Sequence, residues 1–169
     1  MAPCPASTVL HRTDGEARLP PVIAVFRSGL LSARLASHPP AVRDFLVALE
    51  KWMDRSEVCE ELRTSTELVL AEVLNNILEH ARPDFAAPID VTVRAGCDVR
   101  CRVIDRGSPM PGLALPPGHG QSVDCPLEEL SEGGYGWFLI RSLTRDLSYE
   151  RRSDRNRLFF TVAATGDVE

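Results

Sequence analysis

The stretch Leu70-Ala71-Glu72-Val73-Leu74-Asn75-Asn76-Ile77-Leu78-Glu79-His80-Ala81 decides how this chain is read. It closes a longer run in which Leu62, Thr66, Val69, Leu70, Val73, Ile77 and Leu78 recur with the 3.6-residue period of a helix buried along one face. The spacing predicts a helix from Ser56 or Glu57 to Ala81, and Pro83 supplies its stop. Glu72 and Asn76 are four residues apart, so they project from one side, at the edge of the apolar stripe. A neutral amide oxygen is a hard ligand that magnesium accepts beside phosphate oxygens and water. A carboxylate one turn away can take a proton from an attacking hydroxyl. Taken alone, such a pair is more often a solvated helix face than a site.

Outward from this helix, the pattern changes period. Ile89–Arg94 alternates apolar and polar residues, Ala95-Gly96-Cys97-Asp98 turns, and Val99, Cys101 and Val103 alternate again, which predicts a hairpin. Asp105 ends the second strand and Arg106-Gly107 follow. A carboxylate there can accept from an exocyclic amine, although turns use the same residues. The pattern then dissolves through Pro109, Pro111, Pro116, Pro117 and Pro126, a long loop at about 108–132 with the character of a lid. Gly133-Gly134-Tyr135-Gly136 leads directly into the apolar helix start Trp137-Phe138-Leu139-Ile140. Gly134 and Gly136 leave backbone N–H groups open to an anion at that helix N-terminus. No Gly-Lys-Ser/Thr follows, so this is not a P-loop.

On the N-terminal side, Val42, Phe45, Leu46, Leu49, Trp52 and Met53 predict a helix over about 40–54, started by Ser37 or the prolines after it. Leu30–Ala36 reads as a strand, and Val22–Phe26 as an edge strand or part of a tail. At the other end, Leu147–Arg151 and Leu158–Ala163 read as a hairpin around Ser153-Asp154-Arg155-Asn156. The predicted fold class is α+β: a two-layer sandwich of a mostly antiparallel sheet with helices on one face. Its boundaries are an extension at 1–28, one domain at 29–163 and a tail at 164–169.

Composition bounds the function. With 169 residues, 44% hydrophobic and 25% charged, the chain has the balance of one globular domain. A net charge of −5 argues against non-specific nucleic-acid binding. Lys51 is the sole lysine, and the remaining basic residues are arginine, a bias that a GC-rich genome explains more readily than phosphate chemistry does. No apolar run is long enough for a membrane-spanning helix. Five cysteines without a Cys-x-x-Cys pair point to free thiols and a reducing, cytoplasmic compartment; a metal pair at Cys97 and Cys101 lacks further ligands.

In this order and spacing, three segments together resemble a known family. Glu72-x-x-x-Asn76 in its helix, Val103-Ile104-Asp105-Arg106-Gly107 and Gly134-Tyr135-Gly136-Trp137-Phe138-Leu139-Ile140 resemble the N, G1 and G2 boxes of the GHKL ATPases. The likeness is greatest to the stand-alone, RsbW-like anti-sigma factor serine/threonine kinases, and covers roughly residues 29–163. The resemblance implies a Bergerat ATP-binding fold and the cofactors ATP and Mg2+. It implies Asn76 as the metal ligand, Glu72 as general base and Asp105 as the adenine contact, with Gly107, Gly134 and Gly136 against the nucleotide. It further implies a homodimer that phosphorylates a STAS-domain anti-anti-sigma protein and holds a sigma factor, with no direct nucleic-acid or membrane partner. A non-catalytic, ATP-responsive binding module is the alternative. A histidine-kinase fragment fits less well, because those carry asparagine where Glu72 stands, and none of His11, His38, His80 and His119 has a phosphoacceptor context. Two departures from the family stand out: no second glycine follows Gly107, and the threonine many members place in the last strand has no match near Arg157-Leu158.

Overall fold

The computed structural model describes residues 22–27, 29–81, 87–117 and 135–163. Six strands form one sheet: β1 (Val22–Arg27), β2 (Leu30–Leu35), β3 (Ile89–Arg94), β4 (Val99–Asp105), β5 (Arg145–Arg152) and β6 (Arg155–Val162). Their order is β1-β2-β3-β4-β6-β5, and every neighbouring pair is antiparallel. Three helices, α1 (Pro39–Arg55), α2 (Glu60–Asn76) and α3 (Tyr135–Leu143), complete the α+β architecture expected from the sequence. The segment Val22–Arg27 takes the edge-strand option.

Alternation sorts the strands between two faces. Leu31, Leu35, Ile89, Val91, Val93, Val99, Val103, Phe160 and Val162 are buried with Phe45, Leu49, Met53, Leu70 and Leu74 of the helices in one core. Residues between them point to the uncovered face, as in any antiparallel sheet packed on one side.

Three boundaries differ from the sequence expectation. Helix α1 is capped by His38, whose Nδ1 accepts from Ala41 N at 3.2 Å; Ser37 instead donates to the Ala87 carbonyl. The second helix begins at Glu60, later than Ser56 or Glu57, because those residues finish α1. Glu57 sits at φ 57°, its N–H donates to Asp54 O and that of Val58 reaches back to Met53 O. This is a Schellman ending, with the buried pair Met53 and Val58 providing its apolar contact. Finally, the terminal hairpin turns on Ser153 and Asp154 alone, both with positive φ, so the two strands run up to Arg152 and from Arg155. Asn156 therefore belongs to β6, not to the turn.

Glutamate in the left-handed conformation is strained by its Cβ, and glycine is the usual residue at this position. Glu57→Gly is expected to stabilise the fold by about 1 kcal/mol and raise Tm by roughly 2–4 °C in thermal denaturation. A lowered Tm would contradict this helix ending.

Candidate functional site

Helix α2 ends unusually. After Asn76 the backbone widens into a π-helical turn, Ile77–Ala81, a local form that recurs at functional sites. The loop after β4 closes onto this turn. Ser108 N donates to Ala81 O at 2.7 Å, and a Cβ on Gly107 would lie 2.5 Å from that same oxygen. Glycine is thus required at 107 for close packing of the loop on the helix end.

This contact sets Asp105 at one wall of a cavity of about 380 Å³, which Asn76, Met110, Trp137, Tyr149 and Asn156 also line. Such a volume lies in the range of small-molecule sites. Asp105 is buried, and its Oδ1 accepts from Gly107 N at 2.7 Å and from Asn156 Nδ2 at 2.8 Å. Burial raises the Asp105 pKa above the ordinary carboxylate range, while the bonds from Asn156 and Gly107 and the charge of Arg151 act against that rise. Both donors sit on one oxygen, which leaves Oδ2 as the acceptor for a ligand.

Asn156 is the residue the sequence reading missed. The register places it directly opposite Asp105. Its Oδ1 accepts from Arg151 Nη1 at 2.7 Å and Tyr149 Oη at 2.8 Å. Arginine only donates, so the amide orientation is fixed and Nδ2 must face Asp105 and the carbonyls of Gly107 and Ser108. Tyr149 Oη also accepts from Met110 N at 3.1 Å, tying the start of the loop to the same network. The signal was in the alternation: Val162, Phe160 and Leu158 face the core, and the next position in that series is 156.

Helix α3 closes the other end. A Cβ on Gly136 would lie 2.7 Å from Glu72 Oε2 and 3.8 Å from Asn76 Nδ2. The start of α3 therefore packs against the Glu72/Asn76 pair, bringing together two segments some sixty residues apart in sequence. Asn76 Nδ2 is buried with no hydrogen-bond partner among the described residues. An orphaned amide costs free energy unless a ligand engages it, and rotating it by half a turn presents its carbonyl oxygen instead. Magnesium is commonly held by one or two protein oxygens plus phosphates and water, so this single amide fits such an ion. Among the described residues no cluster of three or more His, Cys, Asp and Glu could hold a metal; Cys97 is exposed and Cys101 is a buried free thiol whose pKa burial pushes up.

Of the residues named from the sequence, Asn76 and Asp105 line the cavity, Glu72 and Gly136 meet beside Asn76, and Gly107 packs against Ala81 next to Asp105. Gly134 lies outside the described residues, as does most of the lid. His80 stands exposed in the π turn at the cavity wall, its ring 3.9 Å from the Glu79 carboxylate.

Similarity to known proteins agrees with this geometry. A solved structure of the RsbU and RsbW domains of Rv1364c from Mycobacterium tuberculosis matches 78% of this chain with a TM-score of 0.51 and 13% sequence identity, a likeness of fold. The chain spans about a third of that protein's chain, 32%. No curated protein matches the sequence. The family model of the histidine kinase-like ATPase domain matches residues 35–162, and the chain belongs to that family. ATP binding comes with that membership. No helix among the described residues is long and apolar enough to cross a membrane.

At Gly107 any side chain meets backbone, which cannot swing aside. Gly107→Ala is expected to cost about 1–3 kcal/mol in chemical denaturation, the usual range for overpacking, and to weaken ATP binding by displacing Asp105. Wild-type stability in this variant would contradict the packing described.

Proposed function

We propose that this chain is a protein serine/threonine kinase of the anti-sigma type. It would bind Mg-ATP and transfer the γ-phosphate to a serine or threonine of a STAS-domain anti-anti-sigma protein. The observation that carries the reading is the packing of Gly136 against Glu72 and Asn76. It supports a nucleotide lying with its phosphates at the start of α3, between the helix N-terminus and the Glu72/Asn76 pair.

The division of labour follows from position. Asp105 Oδ2 accepts from the adenine amino group, and the locked Asn156 amide keeps Asp105 an acceptor. Guanine offers a carbonyl at that place and would meet a carboxylate instead of a donor, so adenine is favoured. The N–H groups at the start of α3 would face the phosphates, the part the resemblance gives to Gly134 and Gly136. Asn76 would hold the metal through Oδ1. Bound magnesium would neutralise charge on the phosphate oxygens, which is most of what phosphoryl transfer requires beyond positioning. Glu72 would take the proton of the attacking hydroxyl. Sigma-factor binding and a homodimer belong to the same reading.

The alternative is an ATP-responsive module that sequesters a partner without phosphorylating it. Labelled ATP with a STAS-domain protein separates the two. The kinase places label on a hydroxyl side chain, and Glu72→Gln is expected to lower the rate about 100–10,000-fold while ATP affinity is kept. Full-rate transfer by this variant contradicts the general-base role; absence of transfer by the wild type favours the module.

The Asp105 environment adds a pH dependence. Its folded pKa is raised, so in the window between the ordinary carboxylate value and the raised one the folded chain holds more protons than the unfolded chain. In that window this group stabilises the nucleotide-free fold as pH falls, whereas adenine needs the ionised acceptor. ATP affinity is therefore expected to fall as pH is lowered through the raised pKa, and Asp105→Asn to bind weakly with little pH dependence. Calorimetric titration across pH measures both; an affinity that rises on acidification contradicts the assignment.

A further inference from the structure

The sheet has a second face, and its charge is unlike the rest of the chain. The six strands carry ten arginines and four carboxylates, in a protein whose net charge is −5. By register, nine of these arginines alternate away from the helices; Arg151 is the exception, turned to Asn156. Arg27, Leu30, Arg94 and Arg100 stand in one row across β1 to β4, with Arg94 directly opposite Arg100. Like charges in directly opposed positions destabilise a strand pair. Arginine codon usage explains why a basic residue here is arginine; it does not explain two of them facing each other.

The counter-charges lie around this centre. Arg34 pairs with Asp90, Arg157 with Glu150 and Arg145 with Asp98. Arg27, Arg94 and Arg100 are exposed and have no acidic partner among the described residues, and Arg102 donates only to Thr92 Oγ1. The surroundings select the occupant. A second copy applied to the same face would set arginine rows against arginine rows. A nucleic acid would find, among the described residues of this face, only half-buried Phe159 as a base-stacking platform. Discrete carboxylates are what this face already binds, Arg34 engaging both oxygens of Asp90.

We propose that the open sheet face centred on Arg94, Arg100 and Arg102 docks an acidic segment of a partner protein. This site lies across the sheet from the ATP cavity, so partner and nucleotide are held together without competing. The inference stands apart from the kinase reading and survives if no phosphate is transferred.

Fluorescence anisotropy with an oligo-glutamate peptide as probe tests it. The wild type is expected to bind at low salt and lose affinity as salt rises. The double variant Arg100→Glu/Arg102→Glu is expected to bind at least about tenfold more weakly. The control Arg43→Glu/Arg55→Glu on α1 should change affinity less than about twofold, and ATP affinity should be unchanged in both. Should the double variant not fold, Arg94→Gln, which relieves the opposed pair, is expected to weaken peptide binding while leaving Tm equal or higher. No peptide binding, equal loss in the control, unaltered binding in the variants, or tighter binding of a mixed-sequence RNA or phosphatidylserine vesicles overturns the proposal.

Discussion

The hydrogen bond from Ser108 N to Ala81 O, made across a glycine with no room for a Cβ, is the contact on which the site depends. It joins the end of β4 to the widened end of α2, two elements that otherwise belong to different layers. Asp105, two residues before Gly107, and Asn76, one turn before Ala81, are positioned by that single seam. The π-helical turn makes it possible by bringing the Ala81 carbonyl out of the regular helical ladder, where it is free to accept from another segment.

From that seam the site divides into two ends with different physics. At the Asp105 end, a chain of donors and acceptors runs from Arg151 and Tyr149 through Asn156 to one carboxylate oxygen. Every group in it but Asp105 Oδ2 is committed, and a buried network so tied holds one arrangement with one acceptor left for a ligand. At the Glu72 end the opposite holds: Asn76 keeps a buried amide nitrogen without a partner among the described residues, and α3 approaches so closely that a Cβ at 136 would displace the Glu72 carboxylate. A locked end with one free acceptor suits the reading of a rigid base; an unsaturated end suits a ligand that brings its own charge and ions.

The fold was legible because its signals are periodic. Helix α2, the β3–β4 hairpin and the glycine approach to α3 follow from counting apolar residues by 3.6 or by 2, and the N box, G1 and G2 segments are adjacent because that fold makes them so. Glu72, Asn76, Asp105, Gly107 and Gly136 were each weak signals in local sequence and stood out only through the joint resemblance of the three segments; Asn76 and Asp105 line one cavity, and Gly136 meets Glu72 beside it. What was not legible depended on backbone conformation. Glu57 adopts a left-handed ending that no composition rule assigns to glutamate. Ser153 and Asp154 make a two-residue turn, whereas Ser-Asp-Arg-Asn reads as a four-residue one. That difference alone moves Asn156 from a turn into β6, opposite Asp105. The arginine face was invisible for a related reason: its members lie on six strands, and only the register assembles them.

The central claim is that one nucleotide spans both ends of this site, base at Asp105 and phosphates between α3 and Asn76. A crystal structure of the protein with magnesium and a non-hydrolysable ATP analogue tests it most directly. The account expects the adenine amino group on Asp105 Oδ2, the metal bound to Asn76 Oδ1 and the terminal phosphate within reach of Glu72. An adenine ring outside the Asp105–Asn156 cavity, or a metal held without Asn76, would contradict it.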